Sequence, residues 1–400
     1  MLHTARPTLA LRFDRTPDDP RSRRWQAEPG LELVHEDGMD LVRRKDRAPF
    51  QTASLAVPAR YIAQAKEYPP FFPYSDGGLL IYTGQFHSCP APSGCGSDER
   101  WQIEVTPPRG SHLLVDGVLH ESVCTFGDTG DGTNIYIGRS KPLSTSHFVA
   151  VIDQGLPPQV VGALNRLLPP MMDFFTTRLG RLPFQPMLFA ALDPNPPQGS
   201  GFSMQGSALP GQIAFHLYGE KWAKAAPDEL LDRLPWMFAH EAAHLFQSLD
   251  LAGDSYPEAQ SWIHEGGAEA FAALAIAAFG GLSPEHVQGH IDGERSECAA
   301  GLRALAGKPL NASAEAHAWR NYYTCGLVMQ LAIDVEAKRS SAGARGLFDV
   351  WARFLSRVHA AEPFNQDTFL QAATDLGAAQ AATFARTLAT VPQGDPLQFL

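Results

Sequence analysis

The chain is expected to adopt an α+β fold in two domains, an antiparallel β-domain over residues 1–153 and a mostly helical domain over 154–400. Three observations lead there. Up to Pro157 the chain holds short β-prone runs broken by Gly, Pro and Asp. Two apolar, strand-like runs follow. From Asp228 onward the chain reads as helices almost to its end.

Taken in order, GGLLIYTGQF (77–86), RWQIEV (100–105), SHLLVDGVL (111–119) and NIYIGR (134–139) read as strands of the β-domain. VVGALNRLLPPMMDFFTTRLG is helical in pattern on both sides of Pro169-Pro170, a pair expected to kink or divide it. PMLFAAL (186–192) reads as a buried strand, and a Gly/Pro-rich loop leads to a second strand, IAFHLYG (213–219). Helices are expected over 228–250, 260–280, 285–305, 318–338, 345–359 and 364–389. No repeat of fixed period is present, which excludes solenoids and propellers.

Apolar residues make up 44% of the chain, enough to build a core, yet no run approaches the roughly 18 residues of a membrane span. With a net charge of −11 and scattered Lys and Arg, nucleic acid and anionic membranes are poor partners. The N-terminus has no apolar segment of signal-peptide type. Cys89 and Cys95 bracket CPAPSGC, a spacing that suits a small disulfide loop, although an odd total of five cysteines leaves free thiols equally open. No cysteine has CxxC spacing, so a cysteine-built zinc site is not expected. Nucleophile-elbow and phosphate-binding glycine patterns are absent as well.

The chemistry concentrates in LPWMFAHEAAHLFQSL. On a helix, His240 and His244 lie on one face, so both imidazoles can reach a single ion. Glu241, beside the first histidine, can accept a proton from a zinc-activated water without being a ligand itself. A catalytic zinc needs a third protein ligand and keeps a fourth position for water. Glu265 follows His244 after twenty intervening residues, at the start of the Ala-rich segment HEGGAEAFAALAIAAF, and can supply that ligand. Glu269, one turn on, can accept the free ring N–H of a zinc-bound histidine. Two carboxylates in so apolar a helix are costly unless a cation or donors compensate. Gly266 and Gly267 would admit a close helix approach there. Asp250 and His264 are weaker ligand candidates: the first lacks the glycine turn its class requires, and the second should point away from the Glu265/Glu269 face. The remaining histidines, among them His112, His120, His147, His216, His286 and His290, read as surface or structural groups.

HEAAH followed by SWIHEGGAEAFA resembles the gluzincin metallopeptidases, in particular the aminopeptidase-N-like family with its thermolysin-like catalytic domain. The likeness extends to MMDFFTTRLGRLPFQPMLFAALDP, similar to the opening of that catalytic domain, and more thinly to residues 48–86 in the β-domain. WRNYYTCGLVMQLAID is similar to the segment carrying the family's catalytic tyrosine. The resemblance thus implies one zinc held by His240, His244 and Glu265, Glu241 as general base, and Tyr323 as the oxyanion-stabilising group, with Tyr322 the alternative. It also implies a peptide or protein substrate.

One segment departs from the family. The aminopeptidases place a Gly-x-Met-Glu-Asn segment on the edge strand before the zinc helix, where its glutamate holds the substrate amino group. The corresponding stretch here, GSGFSMQGSALPGQIAFHLYG, has Met204-Gln205 at the nearest match. An amide lacks the full charge that an ammonium rewards, so strict aminopeptidase specificity is not expected. The expectation is a zinc peptidase; a zinc-containing peptide-binding protein without turnover is the alternative. The Cys89/Cys95 loop and the resemblance favour a periplasmic or secreted location over the cytoplasm. Oligomeric state leaves no trace in the sequence.

Overall fold

The computed structural model describes the chain except residues 18, 63, 65–67, 97–98, 194–200, 220, 223–232, 249–250, 252–255, 280–281 and 393–400. An N-terminal antiparallel β region precedes a helical region, as the α+β reading expects. By contact the chain forms two compact units. One combines Met1–Pro157 with Pro186–Lys224; the other combines Pro158–Gln185 with Ala225–Leu400. No described helix is long and apolar enough to cross a membrane.

The first unit is built of sheets. Strands Ala10–Phe13, Leu31–Glu36, Met39–Arg44 and Ser88–Pro90 form an antiparallel sheet over a core of Leu11, Phe13, Trp25, Leu31 and Val42. A second antiparallel sheet runs in the order Val118–His120, His112–Val115, Asn134–Gly138, Leu79–Tyr82 and Phe71–Pro73. The β-prone run 111–119 is thus a hairpin, turned by Asp116-Gly117. Residues 83–86 leave the sheet as a 3₁₀ turn.

The third sheet is mixed. Val149–Ile152, Met187–Asp193 and Gln212–Tyr218 pair in parallel, which explains why 186–192 reads as an unbroken apolar run. Ser203–Leu209 adds antiparallel to Gln212–Tyr218 at one edge, and Leu143–Ser144 adds antiparallel to Val149–Ile152 at the other. Phe189, Ala214 and Val151 of this sheet share one buried cluster with Tyr61, Phe72, Tyr74, Leu114 and Tyr136.

The second unit holds eight α-helices among the described residues: α1 (Pro158–Leu179), α2 (Leu234–His244), α3 (His264–Phe279), α4 (Pro284–Ala304), α5 (Arg320–Ser340), α6 (Leu347–His359), α7 (Gln366–Asp375) and α8 (Ala379–Thr390). Of the helix expected over 228–250, residues 228–232 and 249–250 lie outside the described residues. Pro169 and Pro170 do not divide α1. Each lacks a backbone N–H and costs about 3 kcal/mol in a helix interior. Leu164, Leu167, Leu168, Met171, Met172 and Phe175 are buried on both sides of the pair, and that packing outweighs the loss. The helix expected over 364–389 is two, because Gly377 adopts the left-handed conformation (φ 91°) that ends α7.

Two features fix how α3, α4 and α5 meet. A side chain at Gly266 would collide with the Gly326 backbone, so only glycine lets α3 and α5 touch there. Cys298 on α4 is disulfide-bonded to Cys325 on α5. That pairing is silent in the sequence, since 27 positions separate two cysteines on different helices. Cys89 and Cys95 are also bonded, and Cys124 is free.

Candidate metal centre

Helix α2 enters with Pro235 in its first turn, where the missing N–H has no helical partner to lose, and it is buried over nearly its whole length. His240 and His244 therefore emerge on one face inside the unit. Helix α3 is apolar on every side, the pattern of a core helix, and its polar exceptions are His264, Glu265 and Glu269 at its N-terminal end.

These elements bring His240, His244 and Glu265 together. The two Nε2 atoms are 3.1 Å apart, and Glu265 Oε2 lies 3.4 Å from His240 Nε2 and 3.5 Å from His244 Nε2. Donor atoms about 2.0–2.1 Å from a tetrahedral zinc stand about 3.3 Å from one another. The triangle thus has the dimensions of one face of such a site, and two imidazoles with one carboxylate are a donor set that suits zinc.

The charges around the triangle are strongly coupled. Burial alone would lower the His240 pKa, but the charge of Glu269 and the contacts with Glu265 and Glu269 hold this imidazole well above its usual range. Burial would conversely raise Glu265, yet its contacts with His240, His244 and His264 keep it well below the ordinary carboxylate range. Burial raises the Glu241 carboxyl, partly offset by the two histidines beside it.

The outer contacts are specific. His240 Nδ1 lies 3.1 Å from Glu269 Oε1, an ion-pair separation whose angle misses hydrogen-bond geometry. The Trp236 indole N–H donates to the other Glu269 oxygen. His264 stands outside the triangle and places Nε2 3.5 Å from Glu265 Oε1, with Nδ1 3.2 Å from the Tyr256 hydroxyl. Gln247 holds His244: its Oε1 is 2.7 Å from Nδ1 of that ring. Glutamine carries no motif, so nothing in the sequence could have flagged it. Asp250 lies outside the described residues.

The two tyrosines of α5 separate clearly. The Tyr323 ring stacks on His240 with centroids 5.7 Å apart, and its phenol is pushed well up by burial and by the Glu265 charge. Tyr322 is fully buried, and its hydroxyl donates to the Asn311 carbonyl and accepts from the Ala314 N–H. In the first unit, Gln205 lies on the edge strand Ser203–Leu209 and its Oε1 accepts from the Tyr61 hydroxyl at 2.6 Å.

No family model matches the sequence, and no curated protein matches it. Among solved structures, the chain is similar to an aminopeptidase N family protein from Idiomarina loihiensis, with a TM-score of 0.69 at 13% identity over 100% of this chain and 74% of that one. It is also similar to Legionella pneumophila aminopeptidase A, solved in complex with aspartic acid, with a TM-score of 0.50 at 11% identity. That match covers 98% of this chain and 46% of the other. At such identities the likeness is one of fold: an N-terminal antiparallel β region followed by a helical region, the architecture of aminopeptidase N family proteins.

Proposed function

We propose that the protein is a zinc-dependent peptidase of gluzincin type, with its chemistry in the helical region and residues 154–400 as its catalytic domain. The observation that carries this reading is the triangle of His240 Nε2, His244 Nε2 and Glu265 Oε2, with sides of 3.1–3.5 Å. A buried carboxylate, Glu241, adjoins it. The peptidase names of the two fold neighbours support the substrate class.

His240, His244 and Glu265 would hold one zinc ion, which when bound supplies Lewis-acid polarisation and makes water nucleophilic at neutral pH. Glu241 accepts the proton of the attacking water and delivers it to the departing amine as the C–N bond breaks. Tyr323 donates its hydroxyl to the substrate carbonyl oxygen as that oxygen gains charge. Glu269, itself held by Trp236, orients His240.

A free substrate amino group is not the proposed handle. Gln205 offers an amide on the edge strand, and its oxygen is already engaged by Tyr61. Internal or specificity-restricted cleavage is therefore favoured over strict aminopeptidase action.

Elemental analysis combined with mass spectrometry of a diverse peptide pool, before and after chelation, tests the reading. One zinc per chain with chelator-sensitive cleavage is expected, and cut positions away from the first residue would support the specificity. Zinc without cleavage of any peptide would sink the peptidase and leave a peptide-binding protein; absence of zinc would overturn the metal assignment.

A further inference from the structure

Gln247 follows α2 in a short turn and is fully buried. Its side-chain Nε2 donates to the His264 carbonyl at 2.8 Å, and its Oε1 lies 2.7 Å from Nδ1 of His244. These two contacts determine one another. A backbone carbonyl can only accept, so the NH₂ half of the amide must face His264. The amide oxygen is then left facing His244, and an oxygen there can only accept. Nδ1 of His244 must consequently carry a proton, and in the neutral ring that leaves Nε2 with a bare lone pair.

That nitrogen is the one aimed at the triangle. It sits 3.1 Å from His240 Nε2 and 3.5 Å from Glu265 Oε2. The neighbouring histidine is handled differently, with a carboxylate, Glu269, on its outer side. Room for the amide comes from Gly267: a Cβ at that position would stand 2.8 Å from Gln247 Nε2 and 2.6 Å from the Trp351 ring. The contact to His264 also ties the end of α2 to the residue preceding Glu265. One side chain therefore sets the tautomer of one candidate ligand and is bonded to the residue preceding another.

We propose that Gln247 is a positioning residue of the metal centre, which locks His244 in the Nδ1–H tautomer so that its Nε2 lone pair is presented to the ion. The inference rests on the zinc reading of the site, but its test includes a measurement that needs no metal.

The probes are zinc chloride, titrated against a chromophoric chelator, and long-range proton–nitrogen NMR of metal-free protein labelled with ¹⁵N-histidine. The wild type, Gln247→Leu and Gln247→Glu are compared. In the wild type, His244 should appear as the Nδ1–H tautomer. Gln247→Leu removes the acceptor; the tautomer should change or become mixed, and zinc affinity should fall about 10–100-fold. Gln247→Glu keeps an acceptor facing Nδ1 and replaces the bond to His264 by a contact between two acceptors. It should retain the tautomer and bind zinc within about tenfold of the wild type even if it is less stable, a rescue that a purely structural role would not produce. An unchanged tautomer and zinc affinity in Gln247→Leu overturns the proposal, as does equal loss in both variants. Should Gln247→Leu fail to fold, the tautomer in the wild type and in Gln247→Glu decides alone. If the wild type takes up no zinc, the zinc reading fails separately, and the NMR comparison still establishes or refutes the control of His244.

Discussion

Glu265 and Glu269, one turn apart on α3, address opposite nitrogens of a single imidazole. Glu265 Oε2 is 3.4 Å from His240 Nε2, and Glu269 Oε1 is 3.1 Å from Nδ1 of the same ring. The helix repeat thus supplies a candidate ligand and the group that orients its neighbour from one short stretch of chain. Glu269→Gln keeps an acceptor but removes the charge. It should weaken zinc binding about 10–100-fold in competition with a chelator, with the folded state retained. Unaltered affinity would leave Glu269 a packing residue.

Glu241 adjoins the candidate ligands without being one of them. Glu241→Gln should retain one zinc per chain by elemental analysis and reduce peptide hydrolysis about 10²–10⁴-fold. Substantial residual turnover in that variant would remove the general-base assignment.

Tyr322 and Tyr323 are sequence neighbours with different surroundings, so their phenylalanine variants should part company. Tyr323→Phe should lower kcat about 10²–10³-fold, with zinc content unchanged. Tyr322→Phe breaks the buried links to Asn311 and Ala314 and should cost about 1 kcal/mol of stability in a urea titration, with kcat nearly intact. The reverse pattern would exchange their roles.

His216, on strand Gln212–Tyr218, is fully buried against the rings of Tyr61, Phe72 and Tyr218, and neither ring nitrogen has a hydrogen-bond partner among the described residues. Burial pushes its pKa down to about 3. The folded state therefore excludes a proton that the unfolded chain binds below about pH 6.5. The stability this represents is present above pH 6.5 and is lost as pH falls toward 3, by at most about 1.4 kcal/mol per pH unit. His216→Phe should flatten the acid limb of a plot of urea midpoint against pH. Identical slopes in the two proteins would show that another group titrates there.

The disulfide between Cys298 and Cys325 closes a separation of 27 positions between α4 and α5. Replacing both by serine should lower stability by about 2–4 kcal/mol, and reductant should then have no additional effect at that site. Urea midpoints with and without reductant measure this.

The fold class was readable because burial imposes periodicity: the unbroken apolar run at 186–192 and the all-apolar α3 announce a parallel strand and a core helix. The meeting of His240, His244 and Glu265 was readable because helical spacing forces the first pair onto one face and the acid stands out in an apolar helix. Strand Ser203–Leu209 was harder to see. Its Ser/Gly-rich sequence has little strand preference of its own, and it forms by pairing with Gln212–Tyr218. Continuity of α1 through two prolines and the Cys298–Cys325 bond both depend on tertiary packing that no local window contains. Gln247 was invisible for another reason. Its role is defined by two partners, a ring nitrogen and a backbone carbonyl, that become neighbours only after folding.

The contact of Gly266 with Gly326 has a consequence for how this centre can change. The helix bearing the two acids and the helix bearing Tyr323 meet main chain to main chain, with no side chain between them to enlarge or trim. Their spacing is therefore closed to gradual adjustment by substitution, because the smallest available step at either position is a clash. Diversification of this scaffold, natural or in the laboratory, is channelled into residues around that contact. The Gly266–Gly326 pair should persist as the invariant against which they vary.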